Sequence, residues 1–477
     1  MAILSILTYT VLAASSAAVV SASPAGATTC SSTASVNPTC YSSADIIERD
    51  VAIIGGGSSG TYAAIALKDL GKSVVVVEKQ NKMGGHVLSY HDPTTGMPLN
   101  YGVRLFENTT VTNAFFKRLN SPMQPYQPPP GAPTYADFKT GQILKNFTFS
   151  KDFTAYLQEF DKYPYLNPGQ GYHLPNPVPE DLALPFGDFL KKHNLLDVAY
   201  ASWSNPSLGD IGNVFQTPAL YVMRTLTRAV LTQEGTAGKT LESVTGDNHV
   251  AWDHAQAELG SNVLLSTTVI AASRPAGGST GSSYLVVKTP TGNKLIKAAK
   301  ILFSAAQSTD NLKPFFLDRK ESAVFSKLQY TGFYSGLVNG TGLPNNVAYQ
   351  NAATSADTEH VPLGPKVLHF YPSEVAGIFS FWYESDTPLD DATVKSDIAA
   401  TLEKLANSPA NNLNFLAYAN HCPGILYAPL TEIESGFWDK MNSLQGYRNT
   451  FYTGLLFEQS ASGLWAFTKD RIHDMFA

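Results

Sequence analysis

The sequence predicts an α/β fold: a parallel sheet flanked by helices, discontinuous in the chain, with an inserted α+β unit that carries a mixed or antiparallel sheet. Three observations predict it. Residues 51–78 run as apolar strand, glycine turn, helix-forming stretch and second apolar strand. Apolar strand-like runs return far along the chain, near 263–303 and 450–454. Between these segments lie two long stretches of different composition, the first dense in Pro, Tyr and Phe, the second alternating aromatic and β-branched residues. With 477 residues, 44% of them apolar, the chain is too long for a single compact core, and two interleaved domains are expected.

The turn comes first in the argument. Val51-Ala52-Ile53-Ile54 is a short β-prone run, followed by Gly55, Gly57 and Gly60 at G-x-G-x-x-G spacing. "TYAAIALKDLG" then has helix composition up to a stop at Gly71, and "KSVVVVEK" supplies a second strand ending in Glu78. Each residue type has a physical reason. Gly55 permits a tight turn, Gly57 lets the backbone approach a pyrophosphate, and Gly60 lets helix and strand pack closely. The helix N-terminus offers free N–H groups and the positive end of a dipole, and Glu78 can accept hydrogen bonds from ribose hydroxyls. Ser59, inside the turn, and Lys79, after the acid, complete the candidate set. The unit reads as a Rossmann-like dinucleotide-binding motif.

Downstream, "EKQNKMGGHV" places a glycine pair, Gly84-Gly85, six residues after Glu78. This spacing resembles the flavin-containing amine oxidase and protoporphyrinogen oxidase superfamily, whose glycine doublet passes the flavin's diphosphate and ribityl chain. The resemblance implies FAD as cofactor. It also implies that the backbone of Val269, in "SNVLLSTTVIAASR", meets the adenine, and that Gly454, Ser462 and Gly463, in "NTFYTGLLFEQSASGLWAFTKDRI", form the last flavin segment. One position departs from the pattern: His86 stands where the superfamily commonly has Arg. A closer resemblance, to fungal FAD-dependent oxidoreductases of the β-cyclopiazonate dehydrogenase type, rests on "GGHVLSYHDPTTGMPLNYGV" and runs with gaps from Asp50 to the C-terminus. It implies a FAD-binding domain built from 48–110, 250–312 and 440–477, and a substrate domain from 111–249 and 313–439. Two roles are open to His86: attachment to the flavin 8α-methyl, as in related histidyl-linked enzymes, or a hydrogen bond to the ribityl or phosphate in place of the Arg. Tyr101, Gly102 and Arg104 match a segment bordering the flavin, with Arg104 a partner for an anionic substrate or for the ring, or else a member of a structural ion pair.

Between the cofactor segments, the Pro- and Tyr-rich insert suits ordered loops ending in a short helix near 186–195, its aromatics more often core than pocket. "VPLGPKVLHFYPSEVAGIFSFWYESD" reads as strands of a sheet facing the flavin, and "DDATVKSDIAATLEKLA" as a surface helix. "SNVLLSTTVIAASR" reads as a strand pair, and "YLVVKTPTGNKLIKAAKILFSAA" as two runs about a turn at Thr291-Gly292-Asn293, then a strand at 301–303. Tyr418, His421, His369 and Trp382 are candidates to face substrate, each lone His being more often a satisfied core residue. No catalytic residue is assigned, because flavin carries the redox step itself. No metal-binding spacing and no G-x-S-x-G elbow occur. The expected activity is dehydrogenation of a small apolar or aromatic metabolite, with oxygen or another acceptor taking the electrons. The alternatives are a double-bond isomerase resembling bacterial polyunsaturated fatty acid isomerases, and a non-catalytic secreted flavin carrier.

The remaining features concern compartment. Before Asp45, the first charged residue, an apolar N-terminus runs into Val20-Ser21-Ala22, which reads as a signal peptide over residues 1–22 with an uncleaved anchor as the alternative. Sequons at Asn108, Asn146 and Asn339 suit a secreted glycoprotein. Of the three cysteines, Cys30 and Cys40 are placed to close a small loop and Cys422 is left over, expected as a small buried residue. A net charge of −6 without a long run of either sign excludes a phosphate-tracking surface, so no nucleic acid is expected, nor any membrane partner once the leader is removed.

Overall fold

The computed structural model describes residues 34–127, 131–233, 238–409 and 412–477, so the leader and Cys30 lie outside the described residues. Two seven-stranded sheets organise the chain. The first has the order Val263–Leu264, Val74–Val77, Ile46–Ile54, Gly292–Phe303, Ser283–Thr289, Thr268–Ser273, with Thr450–Tyr452 also on Gly292–Phe303. Pairing is parallel from Val263–Leu264 across to Thr450–Tyr452 and antiparallel through Ser283–Thr289 and Thr268–Ser273. The strand Gly292–Phe303 explains this mixture. Residues 292–298 pair with the antiparallel arm, whereas 301–303 pair with Thr450–Tyr452.

Both faces of this sheet are covered, which is why its central strands read as unbroken apolar runs. Val51, Ile53, Val74 and Val76 pack with Ala63, Ala64 and Leu67 of helix Ser58–Asp69, Trp252 of helix Val250–Leu259 and Trp465 of helix Ala461–Phe476. The alternate residues Ala52, Ile54, Val75 and Val77 join the larger core, to which the first insert gives Tyr163, Tyr172, Phe186, Phe189 and Trp203. These five aromatics of the insert are therefore core, and helix Phe186–Lys192 occupies the place expected for it.

One expectation is corrected. Val263–Leu264 and Thr268–Ser273 are both strands, but they do not pair with each other: they stand at opposite edges, one on Val74–Val77 and the other on Ser283–Thr289. The apolar pattern identifies a strand and not its neighbour.

The second sheet has the order Asn414–Asn420, Gly332–Asn339, Phe379–Ser385, Lys366–Pro372, Tyr349–Asn351, Thr134–Asp137, Gln142–Ile143. Pairing is antiparallel except between Tyr349–Asn351 and Thr134–Asp137. Its outer face, with Tyr334, Val338, Phe370, Phe379, Phe381 and Tyr383, packs on Val394, Ile398 and Leu402 of helix Asp391–Ala406. That i, i+4, i+8 stripe buries one side of a helix capped by the Asp390 side chain, which accepts from Thr393 N. By the two-residue period of a strand, Phe333, Ser335, Leu337, Ser380, Trp382 and His369 lie on the inner face.

Candidate cofactor and substrate site

Gly55 has φ +104°, a conformation that favours glycine, and it opens the turn directly after Ile54. A Cβ on Gly60 would fall 2.0 Å from Gly55 O and 2.6 Å from Ser304 Oγ, so only glycine lets the helix start this close to the strand. Gly57 is different. A Cβ there would meet only Gly85 Cα, at 3.7 Å, so the space beside this backbone is left open by the protein. No side chain caps the helix that begins at Ser58, and Ser59 is buried in its first turn. First-turn N–H groups without a cap, beside open space, suit an anionic diphosphate.

The other expected residues gather around this turn. Glu78 is buried, and its carboxylate accepts from Gly56 N at 2.6 Å and from Gln80 N at 2.7 Å. These bonds fix its orientation and leave further lone pairs for a diol. Gly84 N donates to Gly56 O at 2.9 Å, and a Cβ on Gly85 would lie 2.9 Å from Gly57 Cα, so the doublet lies directly against the turn. Lys79 is exposed. Val269 is half-buried where the register with Ser283–Thr289 shifts. Gly454, at φ +112°, would place a Cβ 3.0 Å from Ser304 O. Helix Ala461–Phe476 is capped by Ser460, which accepts from Gly463 N at 3.2 Å, and Ser462 N donates to Glu107 Oε2 at 3.4 Å.

Two residues that the sequence reading passed over hold these pieces together. Ser304 Oγ donates to Ile54 O at 3.0 Å and Gly55 O at 2.8 Å, so it underlies both the first turn and Gly454. His249 Nε2 lies 2.8 Å from Met83 O, where a Cβ on Gly84 would collide with it. The signal for Ser304 was only that an apolar strand ends in small residues, and His249 carried none.

His86 leads from the turn to the second sheet. Its carbonyl accepts from Val103 N at 2.9 Å, and a Cβ on Gly102 would fall 1.9 Å from that oxygen, which gives the Tyr101-Gly102 pair its physical reason. The His86 ring meets the His421 ring edge-on, centroids 4.3 Å apart. His421 Nε2 lies 2.9 Å from Ser335 Oγ. Phe333 stacks on His421 at 5.5 Å and meets Trp382 at 5.6 Å; His369 in turn lies 5.1 Å from Trp382 and stacks on Tyr371 at 4.0 Å. An aromatic floor thus extends from the glycine doublet across the inner face.

These imidazoles are neutral at pH 7. Burial, and then the Lys79 charge, holds His86 at about 4; burial, and then Arg104, holds His369 at about 3. Burial and then His86 push His421 well below its ordinary value. Arg104 lines a cavity of about 210 Å³ with Leu337, Ser380, Tyr126, Glu242 and Glu374. Tyr418 does not join this face. Its hydroxyl donates to Asp391 Oδ1 at 3.2 Å and its ring stacks with Tyr334, on the side packed against the helix. One residue of alternation separates it from the inner face. Cys422 is free and half-buried, not fully enclosed.

Comparison with known proteins adds the following. An NAD(P)-binding Rossmann-like domain family matches residues 53–119. The FAD-dependent oxidoreductase pigF of Monascus ruber is 41% identical over 435 residues, covering 90% of this chain and 92% of that protein. The FAD-dependent oxidoreductase dbaF of Emericella nidulans is 38% identical over 443 residues, 92% and 93% of the two chains. The β-cyclopiazonate dehydrogenase of Aspergillus oryzae is 34% identical over 445 residues, 90% and 94%. Among solved structures, a CLA-producing fatty acid isomerase from P. acnes superposes with TM-score 0.71 at 17% identity, over 90% of this chain and 99% of that one. Cyclohexylamine oxidase from Brevibacterium oxydans gives 0.61 at 17%, over 90% and 98%. The last two show the fold alone.

Proposed function

Because the chain belongs to the fungal FAD-dependent oxidoreductases that include β-cyclopiazonate dehydrogenase, we propose that it dehydrogenates a small apolar or aromatic metabolite held between the glycine doublet and the inner face of the second sheet. It is an FAD enzyme, and bound FAD supplies an acceptor for a hydrogen and its electron pair. The observation that carries the substrate reading is the contact of His86 with His421, which joins the cofactor turn to a floor of Phe333, Trp382, His369 and Tyr371.

In this reading, Gly57, Ser59 and the first-turn N–H groups hold the diphosphate, Glu78 the ribose, and the Val269 backbone the adenine. Gly84, Gly85, Gly454, Ser462 and Gly463 border the rest of the cofactor. The FAD domain comprises 48–110, 250–312 and 440–477, and the substrate domain the stretches between. The neutral His86 ring cannot supply the positive charge of the Arg it replaces, which favours its place beside the flavin ring over a role as phosphate counter-charge. Oxygen is the proposed electron acceptor. The isomerase alternative draws on a likeness of fold, whereas relatives at 34–41% identity bear oxidoreductase names.

We also propose that the protein is secreted and glycosylated. Cys40 is disulfide-bonded, as suits an oxidising compartment, and Asn108 and Asn146 are exposed. The absorption spectrum of the purified protein tests the cofactor assignment. A flavin spectrum with FAD recovered from the protein is expected; protein that stays colourless after incubation with FAD refutes it. Bleaching under anaerobic substrate, with colour restored by air, tests the redox outcome.

A further inference from the structure

At one end of its inner face the second sheet meets the segment that follows His86. Leu337 and Ser380 stand opposite each other on neighbouring strands, and both line the cavity of about 210 Å³. Leu99, Asn100 and Arg104 line it from the stretch whose Gly102 packs on His86 O. Two residues along the same strands, about 7 Å away, stand Ser335 and Trp382. Ser335 holds His421, and Ser380 Oγ donates to Tyr371 O at 3.3 Å beneath the stacked His369. Cavity and aromatic floor therefore share one face.

Arg104 is fixed here by its backbone, whose carbonyl accepts from Asn248 Nδ2 at 2.7 Å. Its half-buried side chain makes no ion pair and no hydrogen bond among the described residues, so the structural ion pair is not formed. Two carboxylates line the same cavity without neutralising it: Glu374 is exposed, and Glu242 accepts from Gln124 Nε2 at 3.3 Å. The charges are also segregated. The Arg104 charge acts on His369 and Tyr371 of the floor as well as on Tyr126, whereas Glu242 and Glu374 act on Tyr126. The positive end faces the floor, and the guanidinium keeps its N–H donors unspent.

We propose that Arg104 sets the substrate class, an inference that rests on the functional reading above: the substrate bears one anionic group, a carboxylate or an acidic enol, that pairs with Arg104 in this cavity while its apolar body lies across Trp382 toward His86. The guanidinium fork matches the two oxygens of such a group. A space of about 210 Å³ is smaller than the roughly 300–1,000 Å³ of a whole small-molecule site, so it takes one end of a molecule and leaves the rest to the floor. Glu242 and Glu374, at the other end of the cavity, repel a second negative charge.

The test is calorimetric binding to the FAD-loaded protein of indoleacetate, phenylbutyrate and octanoate, each beside its amide and the amine of matching length. At least one acid is expected to bind more tightly than its amide. Arg104→Gln should weaken that acid by roughly 10- to 150-fold, leave the amide unchanged and keep full FAD occupancy by absorbance; Arg104→Lys should recover part of the loss. No acid binding better than its amide, or a preference that survives Arg104→Gln, overturns the assignment. So does loss of FAD from that variant, which marks Arg104 as a cofactor contact. Amines preferred in wild type, with the preference lost in Glu242→Gln, give the cavity to a cation and overturn it too. All of these leave the functional reading standing, whereas wild-type protein that binds no FAD overturns both.

Discussion

Alanine at Gly57 and at Gly60 separates cofactor binding from folding within one turn of chain. At Gly57 the backbone is extended, φ −71° and ψ −167°, which alanine adopts freely, and the new methyl meets only Gly85 Cα at 3.7 Å. The protein without FAD should therefore keep its stability or gain about 0.4–1 kcal/mol from a less flexible unfolded chain. The same methyl enters the open space proposed for the diphosphate. Losing one charge-assisted hydrogen bond there costs about 1.5–3 kcal/mol, or roughly 10- to 150-fold in affinity. At Gly60 the order reverses. A methyl 2.0 Å from Gly55 O and 2.6 Å from Ser304 Oγ forces helix and strand apart, and overpacking of this kind costs about 1–3 kcal/mol or more, exceeding the roughly 1 kcal/mol helix gain from alanine. Thermal midpoints of both variants with and without FAD, together with FAD occupancy by absorbance, make the comparison. Gly57→Ala protein that loads FAD as wild type does refutes the placement of the diphosphate, and Gly60→Ala protein of undiminished stability refutes the packing argument.

Four further outcomes are expected. If His86 is the flavin attachment point, acid-denatured wild type keeps its yellow colour and His86→Ala releases free FAD; release from both shows hydrogen bonding only, and unchanged occupancy and retention in the variant show that the residue is idle. Asp210→Asn should raise the thermal midpoint at pH 8, with the gain fading toward pH 4: burial, and then repulsion from Glu384, raises the Asp210 carboxyl from 3.8 to about 7, and such a group destabilises the fold fully above the higher value and not at all below the lower one, so equal midpoints at pH 8 contradict that cause. Arg224→Met strands the buried Glu458, which also accepts from Gly169 N at 2.8 Å and Gly171 N at 3.1 Å; about 3–5 kcal/mol should be lost in denaturant unfolding, with much of it recovered by adding Glu458→Gln. Mass spectrometry of protein from the native medium should find an N-terminus near Ala22 and glycan first on Asn146, which is exposed, because Asn108 Nδ2 already donates to Gly238 O at 2.7 Å; an intact Met1 or three bare asparagines counts against secretion.

The local parts of this architecture were legible because local chemistry sets them. Gly55, Gly57 and Gly60 announce a turn, the apolar runs on either side announce covered strands, and Asp390 with the stripe Val394, Ile398, Leu402 announces a capped helix. What the sequence hid depends on partners distant in the chain. Tyr418 and His421 sit three residues apart, and only the pairing of Asn414–Asn420 with Gly332–Asn339 decides which of them meets His86. The runs at 263–264 and 268–273 look like neighbours and join opposite edges of a sheet. Ser304 acts on carbonyls 249 and 250 residues before it, and Asp210 is raised by burial and by Glu384, which is remote in the chain. No window of sequence contains those relations.

The position of Ser304 has a consequence for biosynthesis. It holds the turn after Ile54 from below and abuts Gly454, and Thr453 N donates to Phe303 O at 3.0 Å on the adjoining strand. An emerging chain thus exposes its glycine turn early, whereas the last segment of the proposed cofactor seat arrives only when residues near 450–463 leave the ribosome. On that placement, cofactor loading is expected only of chains synthesised through this segment. A polypeptide truncated or clipped ahead of Thr450 would lack one side of the proposed seat and forfeit the mass-action stabilisation that a bound cofactor gives the folded state.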